Sequence, residues 1–582
     1  MRILGLSSLK HDTAVALLED GVFKAAIEND KLARTRTRDI PNQALEACFQ
    51  SLKTGWDGID VVAVATRPIR SWSRKSWLRA KQCMLAPVAS AFHGAEEAGM
   101  LARELNHLRV LRRYATGSDH KLAVFDHHLC HAASAFFQSP FERSLIVTMD
   151  EDGDGTAVML ALGEGNRIRV LGTVPFPHSP AWVYSQITDL VGFHPHLEEH
   201  KTQWLSLEGE PLLKDLFLKV LRGNNYLPHL DLSFFKRGLA GRIAFSEEFY
   251  RAAGLPGDRR QITDDQRKVL ASSMQAACAE VTTGIVKDLR REHKIDNVCF
   301  AGGLFQNSLL VSSLESALGM DKVFVPPAPG NAGTCTGAAS LYWHQKLQKP
   351  RSEPISDVFL GPRFAGQAVK DVLDNTKSRY VLPNTEDRKL DATVQLLMAG
   401  KIVGWFQGAT EFGPRALGNR SVLASPWAPY VKENLNDFIK HREWFRPFAI
   451  SVPEEDCPKY FEASRQCRFM NSMAKLRAEN DCLPETFLLP GQRVRLHIVE
   501  RQSNPTFWGL LKRFGELAPA PMLLNTSFNL FGEPLVVTPR DAMRSYFGSG
   551  LDALVIERFV LSKNSIHTST VSLPTSRVGI GA

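Results

Sequence analysis

Two strand-like runs decide the fold of this chain: Lys121-Leu-Ala-Val-Phe-Asp-His-His-Leu-Cys-His131 and Ser144-Leu-Ile-Val-Thr-Met-Asp150. Each apolar run ends in side chains that can bind a ligand, which is typical of α/β proteins. His127 and His131 are four residues apart, so they share one face of the helix predicted after the first run. With Asp150 at the end of the next strand, they predict a divalent-metal site of imidazole/carboxylate type. The alternative is one buried and one exposed structural histidine, but the aspartate favours the metal site and therefore an enzyme.

The turn that follows, Asp150-Glu-Asp-Gly-Asp-Gly155, begins like a calcium-binding loop. Such a loop needs a glutamate at its twelfth position, which is Ala161 here, and a helix rather than a strand before it. We therefore exclude calcium. Gly153 and Gly155 instead favour a turn between two strands whose backbone N–H groups can approach an anion.

Composition bounds the class of protein. The 582 residues are 44% hydrophobic and 23% charged, which indicates two or three globular domains. No apolar run approaches the roughly 18 residues of a membrane span, and Met1-Arg-Ile-Leu-Gly-Leu6 enters a strand without a secretory segment. The nine cysteines form no Cys-x-x-Cys pair, which favours a reduced, cytoplasmic protein over a disulfide framework. The net charge of +8 suits anionic small substrates as well as nucleic acid.

The order of predicted elements indicates two α/β domains. We place the first at 1–350 and the second at 361–565, with a polar linker at 346–360 and a flexible tail at 566–582. Predicted elements of the first domain include strands at 2–8, 12–18, 22–28, 297–301 and 323–325, with helices at 262–290, from 308 and at 336–345.

Two glycine-bearing loops of the first domain indicate a nucleotide cleft. Gly302-Gly303 follows a buried strand, and Asn307 opens the next helix. A similar strand, loop and helix recur around Pro326-Pro-Ala-Pro-Gly-Asn-Ala-Gly333. Such loops bring backbone close to a nucleotide and aim a helix N-terminus at its phosphate.

The second domain carries a set of fixed cations. Strand Ile402–Phe406 leads into a glycine-rich loop with Arg415 and Arg420, and Lys440, Arg442 and Arg446 follow. Guanidinium forks bind phosphate oxygens bidentately and stay charged. A solvated basic surface is the alternative. The cations are interleaved with glycine, proline and phenylalanine, which favours a shaped anion pocket.

A basic stretch at 67–81 combines six lysines and arginines with Trp72 and Trp77. This pattern is compatible with binding to nucleic acid or to a membrane surface. We favour a solvated helix face within an insertion, since no comparable stretch follows elsewhere, and expect neither a nucleic-acid nor a membrane partner.

Taken together, the motifs resemble the O-carbamoyltransferases of the nodulation and antibiotic-tailoring type. The matching pieces run through the whole chain: His11-Asp12, Asp126-His-His-Leu-Cys-His131-Ala, Gly302-Gly-Leu-Phe-Gln-Asn307, Glu411-Phe-Gly-Pro-Arg-Ala-Leu-Gly-Asn-Arg-Ser421, Phe445-Arg-Pro-Phe448 and Asn525-Thr-Ser-Phe-Asn529. The resemblance implies an N-terminal actin-like ATPase domain of ribonuclease H-like fold. It implies a YrdC-like α/β domain at the C-terminus.

The resemblance also implies a two-site reaction. The C-terminal domain would make carbamoyl-adenylate from carbamoyl phosphate and ATP, with Mg²⁺, and release phosphate and pyrophosphate. The N-terminal domain would transfer the carbamoyl group to a hydroxyl of a small-molecule natural product or sugar. A tRNA threonylcarbamoyl transferase and a non-catalytic nucleotide-binding regulator remain alternatives, and a homodimer stays open.

Residue roles carried over from this family fall into three groups. Iron(II) or another divalent ion would be bound by His127, His131, Asp150 and Asn331. His11 would act on the acceptor hydroxyl as base or positioner, while Gly302, Gly303 and Asn307 hold the adenylate. The phosphates would be held by Arg415, Arg420, Lys440, Arg446, Arg495, Ser527 and Asn529, with Arg415 and Lys440 as catalytic residues.

The chain departs from the family pattern at three places. Asn331 replaces a metal-binding aspartate, which implies weaker metal binding. Trp204 replaces a glycine in the stretch Lys201-Thr-Gln-Trp-Leu-Ser206, and Glu28-Asn-Asp-Lys31 replaces a Glu-Glu-Arg-Phe sequence. We expect these changes to affect the metal affinity and the shape of the acceptor pocket.

Overall fold

The computed structural model describes residues 1–36, 38–69, 72–73, 87–116, 121–222, 227–236, 245–351, 353–364, 366–480 and 482–563. Two five-stranded sheets form the N-terminal part of these described ranges. The first contains β1 (Arg2–Leu6), β2 (Ala14–Glu19), β3 (Val22–Glu28), β4 (Val61–Val64) and β5 (Lys121–Val124). The second contains β6 (Arg143–Gly153), β7 (Thr156–Glu164), β8 (Arg167–Pro175), β9 (Val298–Ala301) and β10 (Val323–Phe324).

Both sheets follow one plan. The first has the order β3-β2-β1-β4-β5 and the second the equivalent order β8-β7-β6-β9-β10. In each, the first three strands of the chain pair antiparallel, and the last two add in parallel on the other side. The N-terminal part is therefore an internal repeat in topology.

Helices connect and separate these sheets. In chain order they are α1 (Asn29–Ala33), α2 (Asn42–Ser51), α3 (Pro87–Thr116), α4 (His127–Phe136), α5 (Pro180–Leu190), α6 (Glu199–Leu205), α7 (Lys214–Arg222), α8 (Glu247–Ala252), α9 (Asp264–His293), α10 (Ser308–Leu318) and α11 (Thr334–Ser340). A π-helical segment, Leu341–Lys346, extends α11, and two 3₁₀ turns, Gly303–Gln306 and Asn331–Gly333, lie near it in sequence.

Helices α4 and α11 lie between the two sheets. One buried core joins Ile3 of the first sheet and Ile146 of the second to Cys130 of α4 and Ala338 of α11. The two helices pack closely, since a Cβ on Gly337 would lie 1.8 Å from the carbonyl oxygen of Cys130. Only glycine fits at that position.

The long helix α9 begins at a capping box formed by Thr263 and Gln266. By length and composition it is the one described helix apolar enough to cross a membrane, yet 61% of its apolar window is buried inside the protein. A mostly buried helix of this kind is typical of a protein core. The long helix predicted at 262–290 is thus confirmed as Asp264–His293.

The C-terminal part contains one nine-stranded mixed sheet within the described residues. Its strands are β11 (Val403–Phe406), β12 (Arg420–Ala424), β13 (Ala449–Pro453), β14 (Phe461–Glu462), β15 (Met473–Leu476), β16 (Arg493–Val499), β17 (Leu523–Ser527), β18 (Ala553–Ile556) and β19 (Phe559–Ser562). They have the order β14-β15-β16-β13-β17-β12-β11-β18-β19. The helices here are α12 (Gln367–Asn375), α13 (Glu386–Met398), α14 (Val431–Leu435), α15 (Cys457–Tyr460), α16 (Pro505–Gly515) and α17 (Pro539–Phe547).

Side chains along the central strands of this sheet alternate between two apolar cores. Val422 of β12 and Leu524 of β17 belong to one core, whereas Leu423 and Leu523 belong to the other. This period of two is what a sheet covered on both faces requires. The α/β class is confirmed for both parts of the chain, while the domain boundaries at 350, 361 and 565 stay predictions.

The two parts are joined by more than the covalent chain. Glu28 accepts a hydrogen bond from the Gly413 N–H at 2.8 Å and pairs with Lys31 at 2.8 Å. Lys31 also donates to the carbonyl oxygens of Glu411 and Gly413, both at 2.8 Å. We call Glu28 and Lys31 the clamp, because they hold the loop before Arg415.

The predicted linker forms no helix or strand between Lys346 and Gln367 in the residues described there. It is nevertheless fixed: the Ala26 N–H donates to the carbonyl of Leu360, and the Phe412 N–H donates to that of Val358. Most of the basic stretch at 67–81 and all of the tail at 566–582 lie outside the described residues.

Candidate active site

The structure brings His127, His131 and Asp150 together as predicted. The two Nε2 atoms lie 3.0 Å apart, and they lie 3.2 Å and 3.0 Å from Oδ2 of Asp150. The His131 side chain is fully buried, and the Asp150 side chain is 15% exposed. We call these three residues the metal triad.

Local sequence explains this arrangement. Asp126 caps α4 by accepting a hydrogen bond from the Leu129 N–H at 3.2 Å. Asp154 and Gly155 form the β6–β7 turn with φ of 54° and 77°, the combination of a type I′ hairpin. The buried Asp154 carboxylate then accepts from the His127 N–H at 3.1 Å, which fixes the start of α4 beside the strand end.

The triad fits a divalent cation. Two ligand atoms at right angles on bonds of about 2.1 Å are about 3.0 Å apart, close to all three measured spacings. Two imidazole nitrogens and one carboxylate oxygen on one face of an octahedron leave positions open for substrate or water. Although burial opposes it, hydrogen bonds from His127 and His131 hold the pKa of Asp150 well below its usual range.

The neighbouring His128 has a structural role that the sequence did not reveal. Its Nδ1 lies 2.7 Å from the Thr148 hydroxyl and its Nε2 lies 3.0 Å from the Thr156 carbonyl oxygen. Burial, followed by the nearby His127 and His131, lowers the pKa of His128 to about 3. The ring is therefore neutral and ties α4 to the β6–β7 hairpin.

The glycine pair lies directly against the triad. A Cβ on Gly302, where φ is +107°, would lie 2.0 Å from the Met149 carbonyl oxygen, and one on Gly303 would lie 3.0 Å from Oδ1 of Asp150. Asn307 lies at the far end of the same turn. Its side-chain oxygen caps α10 at Leu310, and its amide donates to Gln275 at 2.7 Å, so its hydrogen-bonding groups are already used.

Asn331 and His11 meet near the triad. The Asn331 amide nitrogen donates to the carbonyl oxygens of Ser8 and His11, while its buried Oδ1 has no hydrogen-bond partner among the described residues. The His11 ring is 57% exposed and lies 3.1 Å from Asp12. Desolvation by the surrounding residues opposes the charge of this ring, but the hydrogen bond with Asp12 raises the pKa of His11.

A second group of sequence-predicted residues forms a cation cluster in the C-terminal part. The cluster consists of Arg415, Lys440, Arg442, Arg446 and Arg495. Burial lowers the pKa values of all five, that of Arg415 to about 10 and that of Arg442 to about 9, and neighbouring cations add to this for all of them except Arg446. Such a concentration of positive charge favours a bound anion.

Lys440 is the most deeply held cation of the cluster. Its Nζ donates to the carbonyl and hydroxyl oxygens of Ser527, and to the Asn529 carbonyl and side-chain oxygens at 3.1 and 2.8 Å. The Ser527 hydroxyl in turn donates to Asn529 at 2.7 Å. The structure thus brings Lys440, Ser527 and Asn529 together, as the family resemblance implied.

Arg420 is placed differently from the other arginines. It is fully buried and donates to the carbonyl oxygens of Gln407, Gly408 and Asn419 at 2.6, 3.1 and 3.0 Å, with its guanidinium stacked on Phe406. These contacts argue against the direct phosphate contact predicted for it. The sequence shows an arginine in a glycine-rich loop but not the path by which the loop carbonyls surround it.

The N-terminal part contributes to the cation cluster. Arg415 donates to the Gln306 carbonyl oxygen at 2.9 Å, and the Arg495 guanidinium lies 5.6 Å from the ring of Trp204. Lys201 of α6 pairs with Glu443 at 2.5 Å. These contacts between the two parts of the chain leave no pattern in the sequence, although the unusual Trp204 marks the segment that makes them.

Comparisons with known proteins identify the family of this chain. Residues 2–340 match the Carbamoyltransferase N-terminus family and residues 394–563 match the Carbamoyltransferase C-terminus family. An uncharacterized protein of Synechocystis is 32% identical over 97% of each chain. The nodulation protein NolNO of Sinorhizobium fredii is 29% identical over 96% of this chain and 80% of its own. Nodulation protein U of Bradyrhizobium diazoefficiens is 26% identical over 91% and 92%.

Similarity to solved structures is weaker. A full-length HypF in its phosphate- and nucleotide-bound form overlaps with 61% of this chain and 47% of its own, at 14% identity and a TM-score of 0.31. This overlap is too low to assign a domain type or a ligand. The two family matches cover most of the chain in the order that the motifs predicted. The chain therefore belongs to the carbamoyltransferase family and is a carbamoyltransferase.

Proposed function

We propose that this carbamoyltransferase makes carbamoyl-adenylate at the cation cluster and transfers the carbamoyl group to an acceptor hydroxyl at the metal triad. One observation carries the proposal. The turn Gly303–Gln306 begins against Asp150 and ends at the carbonyl that accepts a hydrogen bond from Arg415. A 3₁₀ turn of this length spans about 8 Å, so the two sites are close neighbours.

The donor reaction uses the cation cluster. Water cleaves carbamoyl phosphate to carbamate and phosphate, and a carbamate oxygen then attacks the α-phosphorus of ATP and releases pyrophosphate. Guanidinium and ammonium groups hold the phosphate oxygens and neutralise charge during both displacements. We assign this role to Arg415, Lys440, Arg446 and Arg495, add Arg442, and assign Ser527 and Asn529 to the orientation of Lys440. Mg²⁺ would accompany the ATP.

The transfer reaction uses the N-terminal site. His127, His131 and Asp150 would hold iron(II) or another divalent ion, with Oδ1 of Asn331 as a fourth ligand. A bound divalent ion supplies Lewis-acid polarisation of the carbamoyl carbonyl. His11 accepts the proton of the acceptor hydroxyl, whose oxygen attacks the carbamoyl carbon, and the bond to the phosphate oxygen breaks to release AMP. Gly302 and Gly303 allow the adenylate to approach the triad.

The repeated sheet plan supports the finer fold assignment. Two five-stranded sheets with the same order and directions, separated by helices α4 and α11, are what an actin-like ATPase of ribonuclease H-like fold requires. For the C-terminal part, the mixed sheet with a cation cluster supports a YrdC-like domain. The acceptor would be a hydroxyl-bearing small molecule. The described cysteines form no disulfide, which supports a cytoplasmic location.

The alternatives have less support. A tRNA threonylcarbamoyl transferase would need an extended basic surface, and the stretch at 67–81 that suggests one lies mostly outside the described residues. A non-catalytic regulator would have no reason to keep five mutually repelling cations, since each lowers the stability of the empty protein.

The test is incubation of the purified protein with carbamoyl phosphate, [α-³²P]ATP and a metabolite extract. We expect pyrophosphate and AMP only when carbamoyl phosphate is present, and an acceptor whose mass rises by one carbamoyl group. Pyrophosphate release that ignores carbamoyl phosphate would contradict the donor assignment. A carbamoylated product that forms without ATP would contradict the two-step order.

A further inference from the structure

The cation cluster has one carboxylate neighbour at ion-pair distance within the described residues, and this is Glu443. Its Oε2 lies 3.5 Å from Nη1 of Arg446, while its Oε1 lies 2.5 Å from Nζ of Lys201. A free carboxylate among these cations would compete with a phosphate for the same guanidinium groups. The position of Glu443 therefore decides how much positive charge the cluster offers to an anion.

Lys201 holds Glu443 from the opposite side of the junction between the two parts. It lies on α6, its side chain is 11% exposed, and it also pairs with Glu198 at 2.7 Å. Burial opposes its charge, but Glu198 and Glu443 raise the pKa of Lys201, so it stays protonated. The carboxylate of Glu443 thus lies much closer to Lys201 than to Arg446, whose buried Nε has no hydrogen-bond partner in the described structure.

We propose that Lys201 is a positioning residue for the donor reaction, which limits the pairing of Glu443 with Arg446 to the long contact of 3.5 Å and so keeps the cation cluster available to phosphate groups. The proposal rests on the proposed function of the cluster. Without Lys201, the Glu443 carboxylate has a cation at 3.5 Å to rotate towards, and it would form a closer pair with Arg446. Phosphate would then have to displace a carboxylate.

The surrounding contacts support a cluster completed by the N-terminal part. Trp204, one turn after Lys201 on the same helix, is buried and lies against the Arg495 guanidinium. The side chain of Arg495 makes no hydrogen bond or ion pair with the residues that the structure describes, and the Trp204 ring is the neighbour against which it lies. His200 faces the same cations, and burial followed by Arg446 and Arg415 lowers the pKa of His200 to about 3. Helix α6 therefore faces the cluster without adding a carboxylate of its own at ion-pair distance.

A double-mutant cycle tests the proposal on the full chain. The variants are Lys201→Met, Glu443→Gln and their combination, with inorganic pyrophosphate binding measured by calorimetry. We expect Lys201→Met to weaken pyrophosphate binding by about tenfold, because the Glu443 carboxylate would then compete with the anion for its charge-assisted contact with Arg446. Glu443→Gln should tighten binding by about threefold or less in the parent but restore about tenfold in the Lys201→Met background.

Simple removal of charge predicts a different result. If Glu443 does not move when Lys201 is lost, Glu443→Gln changes affinity by the same factor in both backgrounds, and the proposal is overturned. Lys201→Arg keeps the ion pair and should bind pyrophosphate within about twofold of the parent. Lys214→Met is the matched control, because Lys214 pairs with Glu280 at 3.2 Å on the surface of the same part of the chain.

Kinetics separate positioning from misfolding. In the donor reaction, Lys201→Met should raise the KM for carbamoyl phosphate while the kcat for AMP formation changes less. A loss of activity that appears entirely in kcat, with the KM for carbamoyl phosphate unchanged, would overturn the proposal. If Lys201→Met does not fold, Lys201→Gln replaces it in the same cycle. A parent protein that binds no pyrophosphate would contradict the proposed function itself, whereas a parent that binds it with an additive cycle would contradict this inference alone.

Discussion

Removal of Arg415 should stabilise the empty protein while it destroys the donor reaction. The cations of the cluster repel one another and are partly desolvated, and burial followed by Arg446 lowers the pKa of Arg415 to about 10. A group held in an unfavourable charged state lowers the free energy of unfolding until a ligand compensates it. Arg415→Met keeps most of the side-chain volume and removes the charge.

The magnitude follows from two opposing contributions. The lowering of the pKa of Arg415 to about 10 corresponds to about 3 kcal/mol of unfavourable energy in the folded protein. The hydrogen bond from Arg415 to the Gln306 carbonyl oxygen at 2.9 Å stabilises the fold by about 1 kcal/mol and is lost in the variant. The net gain of about 2 kcal/mol should raise the melting temperature of a chain this long by about 2 °C.

The assay pairs differential scanning calorimetry at low salt with AMP formation from ATP and carbamoyl phosphate. Arg415→Met should melt higher than the parent, gain less stability from added pyrophosphate and lose the donor activity by at least about tenfold. Arg513→Met is the control, since Arg513 pairs with Asp387 and Asp391 on the surface and its loss should not raise the melting temperature. An Arg415→Met variant that melts at or below the parent would refute the reasoning that these cations are held at the expense of stability.

Three further predictions concern other parts of the molecule. His131→Ala should abolish carbamoyl transfer and leave AMP-forming donor chemistry largely intact, and equal loss of both activities in a folded variant would contradict two separate sites. Asn331→Asp should bind manganese(II) more tightly in a calorimetric titration, because a carboxylate adds negative charge. However, it loses the amide donors to Ser8 and His11, so transfer should fall rather than rise. Burial raises the pKa of Glu315 to about 7, so its stabilising contribution is complete below its ordinary pKa of about 4.5 and is lost as the pH rises through 7. At pH 8, Glu315→Gln should therefore have a free energy of unfolding higher than that of the parent by up to about 3 kcal/mol, and a higher melting temperature, with little difference at pH 4. A variant that melts at the same temperature as the parent at both pH values would contradict this.

The metal triad was predictable because its geometry is local. His127 and His131 share a helix face by their spacing alone, and Asp150 follows from the polarity pattern of one strand. The same reasoning found Lys440 with Ser527 and Asn529 only as separate motifs. Their contact depends on how the sheet is ordered, which a single sequence does not reveal.

Several side chains have partners that the sequence pattern did not reveal. Arg420 has the sequence context of a phosphate ligand, yet its guanidinium is surrounded by loop carbonyls. Asn331 was read from its oxygen alone, although its nitrogen holds the His11 loop. Lys201 and Glu443 form an ion pair across hundreds of residues. A donor or acceptor can be identified from its residue type, but its partner is set by tertiary folding.

The clamp has a consequence for protein engineering. Glu28 and Lys31 grip the backbone of the Arg415 loop through the Gly413 N–H and two carbonyl oxygens, so one part of the chain shapes the active loop of the other. A chimaera that joined this C-terminal part to the N-terminal part of a relative would need a glutamate and a lysine in the positions of Glu28 and Lys31, within hydrogen-bond distance of the loop backbone. Without them, the transplanted loop would lose three hydrogen bonds that its own sequence cannot replace. The two parts are therefore a matched pair rather than interchangeable modules.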